Sequence, residues 1–191
     1  MSSKNSGILT QNDLLLNTLM DFYNKNNNLE KMLSIINGES STSLRIIDWF
    51  VTNYAKKHFT VYNLSNVNNL RFKVYSEYKL RLKAYSKQRF DPFCRWERIN
   101  IPYKNNTSIQ TTIGQLNFFR WALENEVIDF IEKNYSKIEA DMNNRNSTSK
   151  RASGGDTSSS ARKTRKKREE LSISATKSIK KEDVEIVVKF S

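Results

Sequence analysis

The stretch TIGQLNFFRWALENEVIDFIEKNY, Thr112 to Tyr135, decides the fold. Thr112 and Gln115 have the spacing of a capping box, in which a threonine hydroxyl and a glutamine amide satisfy opposite ends of a helix's first turn. Leu116, Phe119, Leu123, Val127 and Phe130 then continue one apolar face to about Tyr135. Phe118, Trp121, Ile128 and Ile131 widen that face beyond half the circumference, the mark of a helix buried on most sides. The pattern predicts one continuous central helix around which the domain packs. Each such side chain contributes about 1.5–3 kcal/mol when buried.

Upstream, three shorter helices are expected. Ile8 to Tyr23 carries Leu15, Leu16, Leu19, Met20 and Tyr23 at helical spacing, with Asn12 or Asp13 as its cap. Leu29 to Ile36 follows and stops at Asn37-Gly38, since glycine readily takes the left-handed conformation that ends helices. Ser43 caps a third helix, Leu44 to Lys57, whose stripe is Leu44, Ile47, Val51 and Tyr54. Trp49 falls beside that stripe, at the core edge or on an interaction surface. Thr60 to Tyr62 is short and β-prone.

Between these helices and the central one lies RFKVYSEYKLRLKAYSKQRFDPFCRWERINIPY, Arg71 to Tyr103, with nine Lys/Arg against three Asp/Glu and eight aromatic rings. Strict alternation over Phe72, Val74 and beyond predicts a strand, Arg71 to Ser76. The helix formers that follow predict a helix, Glu77 to Lys87, ended by Asp91-Pro92. Glu97 to Ile101 reads as a second strand, pairing antiparallel with the first around the basic helix. Cations interleaved with rings suit a polyanion, because the charges hold phosphates and the rings stack on bases. In the competing reading the rings are core and the Lys and Arg stems lie over them with their charges in water.

Downstream the composition changes at Asn143. Asn143 to Ser160 is rich in Ser, Thr, Asn and Gly and too poor in apolar residues to offset its ordering entropy. The block Arg162, Lys163, Thr164, Arg165, Lys166, Lys167, Arg168 follows, suited to nuclear import or to a phosphate-binding arm. The last stretch, residues 182–191, places Val184, Ile186, Val187 and Val188 beside acidic residues. Such a segment adds an edge strand to a partner's sheet, in the manner of a SUMO-interacting motif, or returns to the protein's own sheet. The expected organisation is therefore α+β and mainly helical. A compact helical domain with a small antiparallel β element spans residues 1–142, a disordered basic tail 143–181, and a β-prone segment 182–191.

The totals point to a polyanionic partner. Net charge is +12 over 191 residues; residues 145–191 hold thirteen Lys/Arg and six Asp/Glu, a net +7, which leaves +5 on residues 1–144. Charge of this size governs partners more than fold. No stretch has the length and apolarity of a spanning helix, and MSSKNSGILT lacks the order of a signal peptide, so a soluble intracellular protein without a membrane partner is expected. One cysteine, Cys94, and one histidine, His58, preclude an internal disulfide and a Cys/His zinc site, and no metal or cofactor is expected. Five scattered glycines form no phosphate-cradling loop, and the carboxylates show no acid/base or metal-dependent spacing, so no enzyme is expected.

LKAYSKQRFDPFCRWERI (Leu82 to Ile99) and TTIGQLNFFRWALENEVIDFI (Thr111 to Ile131) resemble a small uncharacterised family shared among nucleocytoplasmic large DNA viruses of the mimivirus-like and phycodnavirus-like groups, over roughly Leu44 to Met142. The resemblance implies a viral origin, with the host cytoplasmic viral factory, the virion or the nucleus as its place, and brings no catalytic residues. The residues themselves lead to a non-enzymatic protein that binds nucleic acid, foremost duplex DNA, through phosphates and largely without regard to sequence; in a virus this suits a genome-associated or virion core protein. Lys79, Arg81, Lys83, Lys87, Arg89, Arg95 and Arg98 are its candidate phosphate contacts, Tyr85 and Trp96 its candidate stacking rings, and the 162–168 block its extension. The alternative is a protein-interaction or virion-scaffold adaptor with a viral or host partner, whose basic tail serves targeting.

Overall fold

The computed structural model describes residues 10–65, 71–104, 107–151 and 181–183. Among them, seven helices and two small antiparallel sheets enclose one core. The helices are α1 (Gln11–Tyr23), α2 (Asn28–Ile36), α3, α4 (Val74–Tyr85), α5 (Ile113–Glu124), α6 (Val127–Lys133) and α7 (Tyr135–Arg151). Helix α3 joins Leu44–Trp49, a π-helical turn over Phe50–Tyr54, and Ala55–Lys57. Strands β1 (Val61–Asn63) and β2 (Arg71–Lys73) form one sheet; β3 (Ile99–Pro102), β4 (Thr107–Thr111) and β5 (Lys181–Asp183) form the other, with β4 central.

The expected mainly helical α+β class is borne out, and α5 is the buried centre. Leu116, Phe118 and Phe119 are fully buried, and Phe118, Trp121, Phe90 and Phe72 form a chain of ring contacts with centroids 5.3–6.1 Å apart. The helix is not continuous to Tyr135, however. Asn125 and Glu126 break it, with Glu126 left-handed at φ 54. The break is fixed from outside: the Tyr62 hydroxyl donates to the Asn125 carbonyl (2.7 Å), and Ser65 donates from its amide and hydroxyl to the Glu126 carboxylate (2.9 and 3.0 Å). Leu123, just before it, is only half-buried.

The capping box is also displaced. Thr112 Oγ1 accepts from the Gln115 amide at 3.1 Å as expected. The Gln115 side chain turns inward instead of back to the cap, accepting from Thr111 Oγ1 (2.9 Å) and donating to the Pro92 carbonyl (3.0 Å). A full box forms in α1, where Thr10, rather than Asn12 or Asp13, is the cap. Its amide donates to the Asp13 carboxylate (2.9 Å) and its hydroxyl accepts from the Asp13 amide (3.2 Å).

Strand pairing differs from expectation. Strand β2 pairs with β1, Tyr62 opposite Phe72, and β3 pairs with β4, Ile101 opposite Ile109. The expected partners Arg71–Ser76 and Glu97–Ile101 thus lie in different sheets, and the chain turns helical at Val74. Helix α4 ends at Tyr85, before Lys87 and well before Asp91-Pro92, because Ser86 adopts φ 61. Helix α7 runs to Arg151, so residues 143–151 are helical where tail was expected. Within that extension the Arg145 guanidinium lies 5.6 Å from the Trp49 ring centroid. Lys181–Asp183 pairs with Thr107–Ile109, so this segment docks on the protein's own sheet.

Candidate nucleic-acid interface

Helix α4 lies on the surface. Val74 is its one fully buried residue; Tyr75, Tyr78, Leu82 and Tyr85 pack half-buried against the core. At 100° per residue these five fall on one side, leaving Ser76, Glu77, Lys79, Leu80, Lys83 and Ala84 outward, with Lys87 just beyond the helix end. All but Glu77, which is half-buried, are exposed, as is Arg81 on the opposite flank. Lys79 and Lys83, four residues apart, are about 6 Å apart along the axis, close to two base-pair rises of a duplex. Lys79, Arg81, Lys83 and Lys87 have no ion-pair partner among the described residues. Beneath them, burial and the nearby Asp48 and Asp91 carboxylates push the Tyr78 phenol up to about 12, so the ring stays neutral at physiological pH.

The other three candidate cations are engaged in holding the chain. Arg89 donates from Nε to Asn12 Oδ1 (2.8 Å) and from a terminal nitrogen to Gln11 Oε1 (3.2 Å), and its carbonyl accepts from Asn117 Nδ2 (2.8 Å). Arg95 makes a two-pronged pair with buried Asp91, both bonds 2.7 Å, and its guanidinium lies 4.9 Å from the Phe93 ring centroid. The Asp91 hydrogen bond raises the Arg95 pKa above its ordinary value. Arg98 donates to Gln110 Oε1 across the β3–β4 ladder at 3.1 Å. Of the candidate rings, Trp96 is 44% exposed, whereas Tyr85 is half-buried and stacks on Phe90 at 6.4 Å and 20°. Arg162, Lys163, Arg165, Lys166, Lys167 and Arg168, and Val184, Ile186, Val187 and Val188, lie outside the described residues.

A second cationic surface adjoins the N-terminal end of α4; Arg71, Lys73 and Tyr75 bring it part of the Arg71–Tyr103 stretch, whereas Lys56 and Phe59 escaped the sequence reading. Helix α3 ends in a Schellman motif: His58 is the cap, and the Thr60 amide donates to the Ala55 carbonyl at 3.1 Å. The residue after the cap must then be left-handed, and it is Phe59, at φ 47 and 85% exposed. Helix α2 ends in the same motif with Gly38 in that place, at φ 76. A bulky residue there costs about 1–2 kcal/mol of backbone strain that glycine avoids. Phe59, Val61, Lys56, Lys73, Tyr75 and Ser76 line a groove of about 320 Å³ with Ala55 and Thr60 at its base. Nearby, Trp49 settles at the core edge, donating from Nε1 to Asp141 Oδ2 at 3.1 Å; Lys57 pairs with the same carboxylate.

Carboxylates gather elsewhere, in a separate cleft of about 520 Å³ where Glu124, Glu126, Asp129 and Glu132 face Lys31. Cys94 is buried. Among the described residues no three His, Cys, Asp or Glu side chains converge as metal ligands, and no helix is long and apolar enough to cross a membrane.

Comparison with known proteins places the chain among relatives of giant viruses, as the resemblance implied. A protein of Acanthamoeba polyphaga mimivirus, described as uncharacterized, is 49% identical over 117 residues, covering 58% of this chain and 45% of the relative. The chain thus spans about half the length of the curated relative it matches. No solved structure matches the chain. The model of a family of unknown function, DUF7197, matches residues 3–191, well beyond the Leu44–Met142 span of the resemblance, and the chain belongs to that family.

Proposed function

We propose that this protein binds nucleic acid through its phosphates, without enzymatic action, as a genome-associated or core component of a virus. The observation that carries the reading is the surface of α4 and its C-terminal end, where Lys79, Lys83 and Lys87 on one side and Arg81 on the opposite flank stand exposed without ion-pair partners among the described residues. Unpaired cations cost little to leave in water, yet their spacing along one helix matches a polyanion's repeat and displaces its counterions on contact. Arg71 and Lys73, both exposed on β2, extend the same surface from the helix's N-terminal end. Duplex DNA is the first substrate to examine, since contacts from lysines and arginines to phosphates would be indifferent to sequence. The basic 162–168 block would add affinity in the same manner.

The test is the combined replacement Lys79→Gln, Lys83→Gln and Lys87→Gln in the full chain. Affinity for labelled duplexes of unrelated sequence should fall by the same factor for each, as the salt dependence flattens. Unchanged binding would remove the folded domain from the reading. A second reading, a protein-interaction adaptor, draws on Leu80, 59% exposed amid the lysines of α4. A stoichiometric protein partner retained through nuclease and high salt would favour it.

A further inference from the structure

We infer that the Phe59 groove is a stacking site for an unpaired base, so that the nucleic acid this protein engages includes a single-stranded segment. The inference rests on the phosphate-binding reading and adds a substrate class to it. Three observations carry it.

Phe59 is held outward by a backbone conformation its side chain disfavours. Its φ of 47 and 85% exposure mean that neither local propensity nor burial accounts for the ring. Such outliers persist where the surroundings impose them, and they concentrate at binding sites. The groove beside it is walled by a second ring, Tyr75, with Lys56 Nζ 5.8 Å from that ring's centroid, and by Val61, itself 44% exposed. Finally, two further depressions share walls with this groove. One runs past Arg145 and past Lys57, whose ammonium pairs with Asp141, and shares Lys56, Phe59 and Tyr75; the other runs past Arg71 and shares Val61 and Lys73. No Asp or Glu lines any of the three among the described residues.

An aromatic face set in a trough of cations fits a nucleotide: the ring takes the base, and the cations take the phosphates on either side. A basic peptide would find no carboxylate among these linings to answer its cations. A paired duplex hides its base faces in its stack, so the ring meets a face only where the strand is unpaired. Ser76, at the groove's rim, begins the outward row Ser76, Leu80, Lys83 on α4, so one strand passing Phe59 continues onto the helix lysines.

The experiment is fluorescence anisotropy of the full chain with a labelled oligothymidylate, with the same backbone carrying abasic sites, and with a duplex. Phe59→Ala should weaken oligothymidylate binding about five- to a hundred-fold, leaving duplex affinity, abasic-strand affinity and the salt slope unchanged. Phe59→Trp should restore it. Phe59→Asn, which accepts the left-handed backbone, should match the alanine variant and separates loss of the ring from any folding defect. Oligothymidylate binding unchanged in Phe59→Ala and Phe59→Asn, with the duplex still bound, overturns this inference alone. A wild-type chain that binds neither strand nor duplex overturns the phosphate reading and this inference with it.

Discussion

Replacing Arg95 with alanine should unfold the protein more easily without weakening the nucleic-acid binding proposed for the α4 surface. Its guanidinium makes two 2.7 Å bonds to Asp91, whose side chain is 4% exposed, while its own is 43% exposed. Breaking a buried ion pair by removing one partner costs about 3–5 kcal/mol because it strands a charge. Half of this pair lies in water, which screens it, and Asp91 keeps its bond from the Phe93 amide (3.3 Å). The expected loss is therefore about 2–3 kcal/mol. At roughly 2–4 °C per kcal/mol for a chain of this length, the melting temperature should fall by about 4–12 °C. The assay pairs a thermal melt with duplex titrations across a salt series well below the melt. Asp91→Ala should cost a similar amount, and the double variant less than the sum, because the two changes remove one shared interaction. A variant that melts like wild type but loses affinity and about one unit of salt slope would refute the reasoning; Arg95 would then be a phosphate contact.

Other perturbations separate fold from function elsewhere. Phe59→Gly should raise stability by about 1 kcal/mol, seen as a melt higher by about 2–4 °C, because glycine takes the left-handed position without strain and little burial is lost. Gly114→Ala should destabilise by about 1–3 kcal/mol in urea unfolding, since the added carbon would stand 2.8 Å from the Gln88 carbonyl oxygen, a backbone atom that cannot easily yield. Phe119→Ala should cost about 3–5 kcal/mol as a core truncation, and Leu123→Ala less, by the same assay. Burial disfavours the Asp141 charge, but bonds from Lys57 and Trp49 outweigh it and hold the carboxyl below its ordinary range. A depressed folded pKa gives stability that is present above the unfolded value and lost as pH falls through the folded one. Asp141→Asn should thus cost about 1–2 kcal/mol at neutral pH, a gap that narrows below about pH 4 in melts across a pH series.

Much of the helical framework was legible because its signals are local. The apolar stripes of α1, α2, α3 and α5 and the Asn37-Gly38 stop depend on neighbours within a few residues; α1, α2 and α3 formed close to their expected bounds, and α5 began where expected. What the local pattern concealed was set by distant partners. The break at Asn125–Glu126 is held by Tyr62 and Ser65. Strand β4 shows one apolar residue, Ile109, and buries Thr111 through a bond to Gln115, so alternation in hydropathy was hidden by a buried polar residue. At the candidate interface, four of the cations that charge picked out, Lys79, Arg81, Lys83 and Lys87, stand without ion pairs among the described residues. Arg89 and Arg95 could not be sorted from them, because Asn12, Gln11 and Asp91 come beside them only in the fold. Phe59 escaped notice for the opposite reason: phenylalanine is a residue that a helix-terminating left-handed position ordinarily excludes.

The central claim is that the folded domain, and not the basic block alone, holds the phosphates. Its most direct test is the slope of log affinity against log salt for a duplex, measured for three full-length chains. These are wild type, the Lys79→Gln/Lys83→Gln/Lys87→Gln variant, and a variant with the 162–168 cations changed to glutamine. The account predicts that the helix variant loses about 2–3 units of slope, close to 0.9 per phosphate contact, and that the block variant retains a steep slope of its own. A helix variant indistinguishable from wild type, with all binding lost in the block variant, would contradict it.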